Sequence, residues 1–153
     1  MTTSSRKSSK ALPLIGWREW LVLPDLGNVT VKAKIDTGAK TSAIHAWRIT
    51  EEEVRNKLFV TFDLHPVQRS MRNAVTCRAP VVDRRVVRNS GGQQQARYVI
   101  ETAVHVGDHV FDIELTLTQR DEMGFRMLLG RDAVKSRFLV NPARSFLLGK
   151  RRD

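Results

Sequence analysis

Residues 29–36 read VTVKAKID, with Val29, Val31, Ala33 and Ile35 on one side of a period-two pattern and Thr30, Lys32 and Lys34 on the other. Such alternation specifies a strand with one buried and one solvated face, because successive side chains of a strand point in opposite directions. Similar short runs recur at 19–23 (EWLVL), 42–49 (SAIHAWRI), 58–64 (LFVTFDL) and 109–118 (HVFDIELTLT). Turn residues separate them: PDLGN at 24–28, SGGQ around Gly91 and Gly92, Gly107-Asp108, and NPAR at 141–144. Gly91-Gly92, between APVVDRRVVRN and QARYVIETAVHV, marks the tip of a long hairpin. Residues 125–129, 138–140 and 145–149 are expected to be further strands. The segment 50–57 (TEEEVRNK) is expected to be a polar connection with about one helical turn, and 130–137 (GRDAVKSR) a helix of about two turns. Many short strands with one short late helix predict an all-β chain closed into a barrel. No sustained strand–helix alternation supports a parallel α/β sheet.

At 153 residues the chain suits one domain that buries its own core. We expect that domain at 14–149, between a disordered basic tail at 1–13 (MTTSSRKSSKALP) and a basic tail at 150–153. The first segment is polar, with no apolar stretch after it, and does not resemble a secretory signal. A single cysteine, Cys77, excludes an internal disulfide and points to a reducing compartment, so a cytoplasmic location is expected. No apolar run reaches the roughly 18 residues of a membrane-spanning helix. The net charge of +10 implies an acidic partner: nucleic acid, ribosome or acidic polypeptide. Part of that charge is concentrated at 69–88, which holds six arginines and one aspartate. No zinc-finger, helix-turn-helix or RNA-binding aromatic signature accompanies it, so specific nucleic-acid readout is unsupported.

The alternating strand at 29–35 delivers Asp36-Thr37-Gly38 to its C-terminal end. Alone, the triplet is also compatible with an aspartate capping a turn. Two later features stand in a suggestive order: the glycine-tipped hairpin, and LLGRDA at 128–133, two apolar residues and a glycine opening a short helix. Together the three resemble the retropepsin-like aspartic peptidases. That resemblance implies a catalytic carboxylate on Asp36, a hairpin flap over the substrate, and an apolar-apolar-Gly segment behind the active-site loop. GWREW, AKIDTGAKTSAIHA, APVVDRRVVRNSGG, RYVI and LTLTQRDEMGFRMLLGRDA further resemble small bacterial and archaeal members named as ATP-dependent zinc proteases, which are associated with ATP-grasp, glutamate-adding ligases. The likeness covers roughly residues 14–149.

Peptide hydrolysis by this route needs two carboxylates sharing one proton around a water. The ionised member activates the water and the protonated one polarises the carbonyl, and the pair titrates as a unit. Gly38 lets the backbone approach the carboxylate, and the resemblance implies that the Thr37 hydroxyl reaches across to a partner loop. Asp-Thr-Gly occurs once, so the second carboxylate is expected from a second copy in a two-fold homodimer. Ala39, Lys40, Thr41, Leu128, Leu129, Gly130, Arg131 and Asp132 are expected to support the site. Arg84, Arg85, Arg88, Gly91 and Gly92 are expected in the flap, where arginines favour an acidic peptide because guanidinium pairs bidentately with carboxylate. The ligase association makes polyglutamate tails or acidic protein segments the implied substrate.

The sequence gives metal chemistry little support. H-E-x-x-H is absent, and His105 and His109 of HVGDH flank a hairpin turn. His45, His65 and Cys77 could assemble with Asp36 around zinc, but nothing in their spacing requires it. His45 is expected to be scaffold and Cys77 a structural thiol. No nucleotide-binding loop is present, so no cofactor is expected and any ATP dependence would belong to a partner. Two other readings stay open: a non-catalytic adaptor for an ATP-grasp ligase or an acidic ribosomal partner, and a basic protein held on RNA by charge alone.

Overall fold

The computed structural model describes residues 11–67, 72–88, 91–92, 94–119 and 124–148, with the side chains of Val87 and Arg88 excepted. The expected tails at 1–13 and 150–153 therefore lie largely or wholly outside the described residues, as does most of the RDEMG turn.

The alternating runs become strands. β2 (Arg18–Leu23) and β3 (Val29–Asp36) form a hairpin whose buried positions follow the sequence pattern residue by residue. β4 (Ser42–His45) follows the Asp36 loop, then β5 (Trp47–Val54) and β6 (Lys57–Leu64). β7 (Val75–Pro80), β8 (Asp83–Arg88), β9 (Gln94–Val106) and β10 (His109–Thr118) come next, followed by β11 (Met127–Gly130). A single-turn helix, α1 (Arg131–Val134), leads to β12 (Leu139–Asn141), which pairs in parallel with the N-terminal β1 (Leu14–Gly16).

The main sheet runs β10-β4-β11-β3-β2-β9-β8. β9 also pairs with β10 from His109↔Val106 to Thr116↔Val99, so the order returns on itself. The ring is joined between β2 and β9 by the single pair Val22↔His105. A separate three-stranded sheet, β5-β6-β7, adds Val60, Phe62, Leu64 and Ala79 to the same apolar core as Leu21, Leu23, Val31, Leu115 and Leu129.

Several boundaries differ from the sequence reading. Residues 50–57 are not a helical turn. They complete β5 and turn into β6 through Arg55 and Asn56, both at positive φ, the backbone of a tight hairpin. Residues 51–53 are exposed glutamates on an edge strand, so cross-strand pairing set their conformation without apolar alternation to signal it. The run 42–49 is two strands, broken at Ala46, whose N–H bonds the Thr118 carbonyl. The helix has one turn because Lys135 is extended and Ser136 adopts φ 66°. Residues 145–148 are not a strand, and their backbone groups serve β2 instead. The Phe146 N–H reaches the Arg18 carbonyl at 3.0 Å, and the Leu147 and Leu148 N–H groups reach the Glu19 carboxylate.

Glu19 is fully buried and sits on the inward face of β2, in phase with Leu21 and Leu23. Its carboxylate accepts from the N–H of Gly16 at 2.6 Å, Leu147 at 2.8 Å and Leu148 at 3.2 Å. A charge buried this deeply is tolerated only with several such partners. Gly16 is required beside it, since a Cβ there would overlap the backbone of Arg144 and Ser145.

Candidate active site

β3 ends at Asp36, and its parallel neighbour β11 ends in register with it, Gly130↔Asp36. Asp36 shares the outward face of β3 with Lys34 and Lys32 and is half-buried, whereas Thr37 and Gly38 are exposed. The Gly38 N–H donates to Asp36 Oδ1 at 3.1 Å, fixing the carboxylate by local backbone, and the Ala39 N–H returns to the Asp36 carbonyl at 3.2 Å.

The loop is braced by the segment entering α1. The Arg131 N–H bonds the Ala39 carbonyl at 2.6 Å and the Asp132 N–H bonds the Lys40 carbonyl at 3.0 Å. The Arg131 guanidinium donates to the Thr37 carbonyl, and the Gly130 N–H donates to Ser42 Oγ. Gly130 has to be glycine: a Cβ would fall 2.6 Å from the Thr41 carbonyl carbon, and the loop would have to move. Leu128 and Leu129 are buried on β11 behind it. Ser42 was not among the expected support residues, because a small polar residue after a loop gives no signal of its own.

Lys40 and Asp132 form an ion pair at 2.7 Å. The Lys40 ammonium, with Lys135 adding to it, holds the Asp132 carboxyl below its ordinary value. A lowered carboxylate pKa contributes stability above the unfolded value, which is lost as pH falls through the folded one. This brace therefore persists at neutral pH and is released only by acid. The pair is exposed, so it orients the loop without adding much to stability.

The hairpin β8–β9 runs from Asp83↔Val99 to Arg88↔Gln94, with Gly91 and Gly92 at its tip and Gly92 at φ 84°. Arg85 ties this arm to the Asp36 side of the molecule. Its guanidinium pairs with Asp83 at 2.7 Å and Glu114 at 3.0 Å, and reaches Thr41 Oγ1 at 3.5 Å. Arg84 lies over the Tyr98 ring and 3.9 Å from Glu51. The Arg88 side chain lies outside the described residues. Two of the arginines on this hairpin thus already have carboxylate partners from their own chain, which charge counting did not anticipate.

His45 and His65 stack on Trp47 at centroid distances of 3.8 and 3.9 Å, both nearly parallel to it. Two rings that close to one centroid must occupy opposite faces, so the indole separates them and they cannot share one ion. Cys77 is buried and desolvated near Asp63, which pushes its thiol up to about 11. It stays protonated at neutral pH and is a poor nucleophile or ligand. No group of three or more His, Cys, Asp or Glu side chains among the described residues could hold a metal ion. No helix among the described residues is long and apolar enough to cross a membrane.

An Asp-Thr-Gly loop at a strand end, a glycine-tipped hairpin, and an apolar-apolar-Gly strand packed beside that loop are the features of a retropepsin-like protein. The chain belongs to the RimB-like family, whose model, described as retropepsin-like aspartic endopeptidase RimB, matches residues 14–151. Proteins of Shewanella halifaxensis and Desulfotalea psychrophila, each named "Probable alpha-L-glutamate ligase", are 44% identical over 140 residues. A third, from Parasynechococcus marenigrum, has the same name and is 42% identical. The matched part is 92% of this chain but only 30–31% of theirs, so the chain spans about a third of the length of these curated relatives. The crystal structure of Lpg0085 from Legionella pneumophila, described as having unknown function, superposes with a TM-score of 0.74 at 29% identity. The match covers 90% of this chain and 99% of that one.

Proposed function

We propose that the protein is an aspartic endopeptidase that acts as a homodimer, with Asp36 from each of two copies forming the carboxylate dyad. The observation that carries this reading is the Asp36 loop. Its carboxylate is oriented by the Gly38 N–H, held half-buried at a strand end, and cross-braced by Gly130, Arg131 and Asp132. Such preorganisation suits a group that must keep one geometry while its protonation changes. In the reaction, the ionised carboxylate takes a proton from water as the oxygen attacks the peptide carbonyl. The protonated carboxyl donates to the developing oxyanion, and the amine leaves with a proton from the dyad. We read the strand ring as the barrel of this fold, with the cytoplasm as its setting.

The substrate we favour is an acidic polypeptide, including glutamate tails. Arg84 and Arg85 lie on the flap arm, and Arg85 already accommodates carboxylates at the edge of the loop. Substrate carboxylates would replace Asp83 and Glu114 there. Reversing the charge of Arg84, Arg85 and Arg88 together is expected to abolish binding of an acidic peptide to the Asp36→Asn protein at low salt. Unchanged affinity would reject the substrate class. Arg84→Glu alone leaves the Arg85 anchor in place and separates recognition from loss of the flap. Sedimentation at high protein concentration tests the dyad: a dimer is expected, and a strict monomer, with and without acidic peptide, rules the mechanism out.

A second reading has its own support. The relatives named as ligases carry the matching region within a chain about three times as long. A non-catalytic role as adaptor for an ATP-grasp glutamate ligase fits that arrangement. It predicts binding of such a ligase with no cleavage of any acidic peptide.

A further inference from the structure

β2 and β3 turn a second set of side chains away from the core. Arg18, Trp20 and Val22 alternate with the buried Glu19, Leu21 and Leu23, and Thr30, Lys32, Lys34 and Asp36 alternate with Val29, Val31, Ala33 and Ile35. On this face of the two strands the single acid is Asp36. The antiparallel register sets Arg18 directly opposite Lys34, and on its other side Lys34 is level with the buried Leu128 of β11. Like charges directly opposite one another destabilise a sheet, so this pairing costs the fold something. Neither Arg18 nor Lys34 forms an ion pair with another described residue, whereas Arg78, Arg84 and Arg85 all do.

The Arg18 guanidinium is nonetheless held in place. Its Nε donates to Ser145 Oγ at 3.1 Å, and its central carbon lies 4.7 Å from the Trp17 ring centroid and 5.0 Å from that of Phe146. No described residue accepts a hydrogen bond from its Nη groups. A planar guanidinium fixed through Nε and through aromatic rings, with its Nη edge unused, is set to grip a carboxylate. Lys34 supplies a second cation, its Cβ about 5 Å from that of Arg18 across the strands. Single-stranded nucleic acid would need aromatic faces on which to stack its bases. Here the Trp17 and Phe146 rings are already engaged by Arg18, and Phe146 also stacks on Trp20.

We propose that Arg18 and Lys34 form a carboxylate-binding subsite beside Asp36, which takes an acidic side chain of the substrate next to the scissile bond. The proposal rests on the peptidase reading of Asp36 given above and names residues that set its specificity. Lys34 and Asp36 are two residues apart on one face of one strand, about 7 Å, which is also the spacing of alternate side chains along an extended peptide. A peptide whose carbonyl lies at Asp36 therefore carries a side chain within one or two residues of the bond to the Arg18–Lys34 row. Arg85 contacts the loop after Asp36 through Thr41, whereas Arg18 and Lys34 lie on the strands before it, so the two cationic anchors are separate. The repulsion between Arg18 and Lys34 is relieved when a carboxylate sits between them. Ser145 and Phe146 act here as positioning residues, because they hold the guanidinium that does the gripping.

The test titrates isotope-labelled Asp36→Asn protein with capped hexaglutamate at low salt and follows the Arg18 Nε–H resonance. A saturable shift of that resonance is expected. Lys34→Met and Arg18→Gln, each made in the Asp36→Asn protein, are expected to weaken binding about tenfold. Arg18→Gln also loses packing against Trp17 and Phe146. Lys34→Met has no ion pair to lose, so it keeps the test decisive if the Arg18 variant folds poorly. Capped hexaglutamine, of the same shape without the charge, is expected to bind the parent at least about tenfold more weakly and to be indifferent to Lys34→Met. An Arg18 resonance that stays still, hexaglutamate affinity unchanged by Lys34→Met, or hexaglutamine bound as tightly as hexaglutamate would each overturn the proposal. Oligouridylate that moves the Arg18 resonance when hexaglutamate does not would overturn it in favour of RNA. Cleavage of hexaglutamate by the wild type at a kcat/KM that Lys34→Met leaves unchanged rejects the subsite and leaves the peptidase standing. Binding that depends on Lys34, with no cleavage by the wild type, does the reverse.

Discussion

Replacing Asp36 by Asn is expected to lower kcat/KM on an acidic peptide by at least about 10³-fold, the scale of a lost acid–base group, with the melting temperature unchanged. Asparagine keeps the shape and keeps an oxygen for the Gly38 N–H, so the loop should survive. What is lost is the negative charge that takes the proton from water. A variant that retains activity removes Asp36 from the mechanism. Because the proposed dyad draws one carboxylate from each of two copies, excess Asp36→Asn protein mixed with wild type should depress activity beyond simple dilution. A catalyst that works as a monomer shows dilution only. Repeating the assay with a chelator separates the carboxylate route, which should be indifferent, from a zinc route, which should stop.

The second large effect is on stability. Glu19→Ala is expected to cost about 3–5 kcal/mol, because three backbone N–H groups lose a charged acceptor together. For a chain of this size that corresponds to a fall of about 10 °C in Tm. Gly16 and Leu147 both donate to Oε2 and Leu148 donates to Oε1, so Glu19→Gln should fall between. Its amide nitrogen must face at least one donor. Thermal unfolding of both variants checks this order, and an unchanged Glu19→Ala protein would show that the carboxylate is dispensable.

Much of the hairpin structure was legible because one-sided burial writes itself as alternation. β2, β3, β6 and β10 follow from period two, and the turns from Gly27, Gly92 and Gly107. What stayed hidden are contacts between residues far apart in sequence. The three parallel pairings, β1 with β12, β10 with β4 and β11 with β3, leave no local mark. The second part of β5, from Thr50, was missed because its glutamates face solvent, where pattern carries no information. Residues 145–148 were misread because an apolar run cannot say whether its backbone bonds a strand or a carboxylate. Glu19 did leave a signal: an acid in phase with Leu21 and Leu23 in EWLVL must either face water or be fully partnered. At the site, the Asp36 loop and the glycine behind it were legible, but not the Ser42 contact or the Arg85 anchor. Those depend on which strands lie side by side.

The strap between Glu19 and residues 147–148 also bears on synthesis. The chain makes Glu19 more than a hundred residues before Leu147 and Leu148. Until residues 144–148 clear the ribosome, Trp17, between β1 and β2, has no Arg144 carbonyl and the buried carboxylate has no donors from Leu147 and Leu148. The hairpins can form as they emerge, since their contacts are local, but the ring's first strands cannot be completed early. The ring is therefore expected to close only once residues 144–148 have emerged, and a nascent chain stalled short of residue 147 should remain open to protease at β1 and β2.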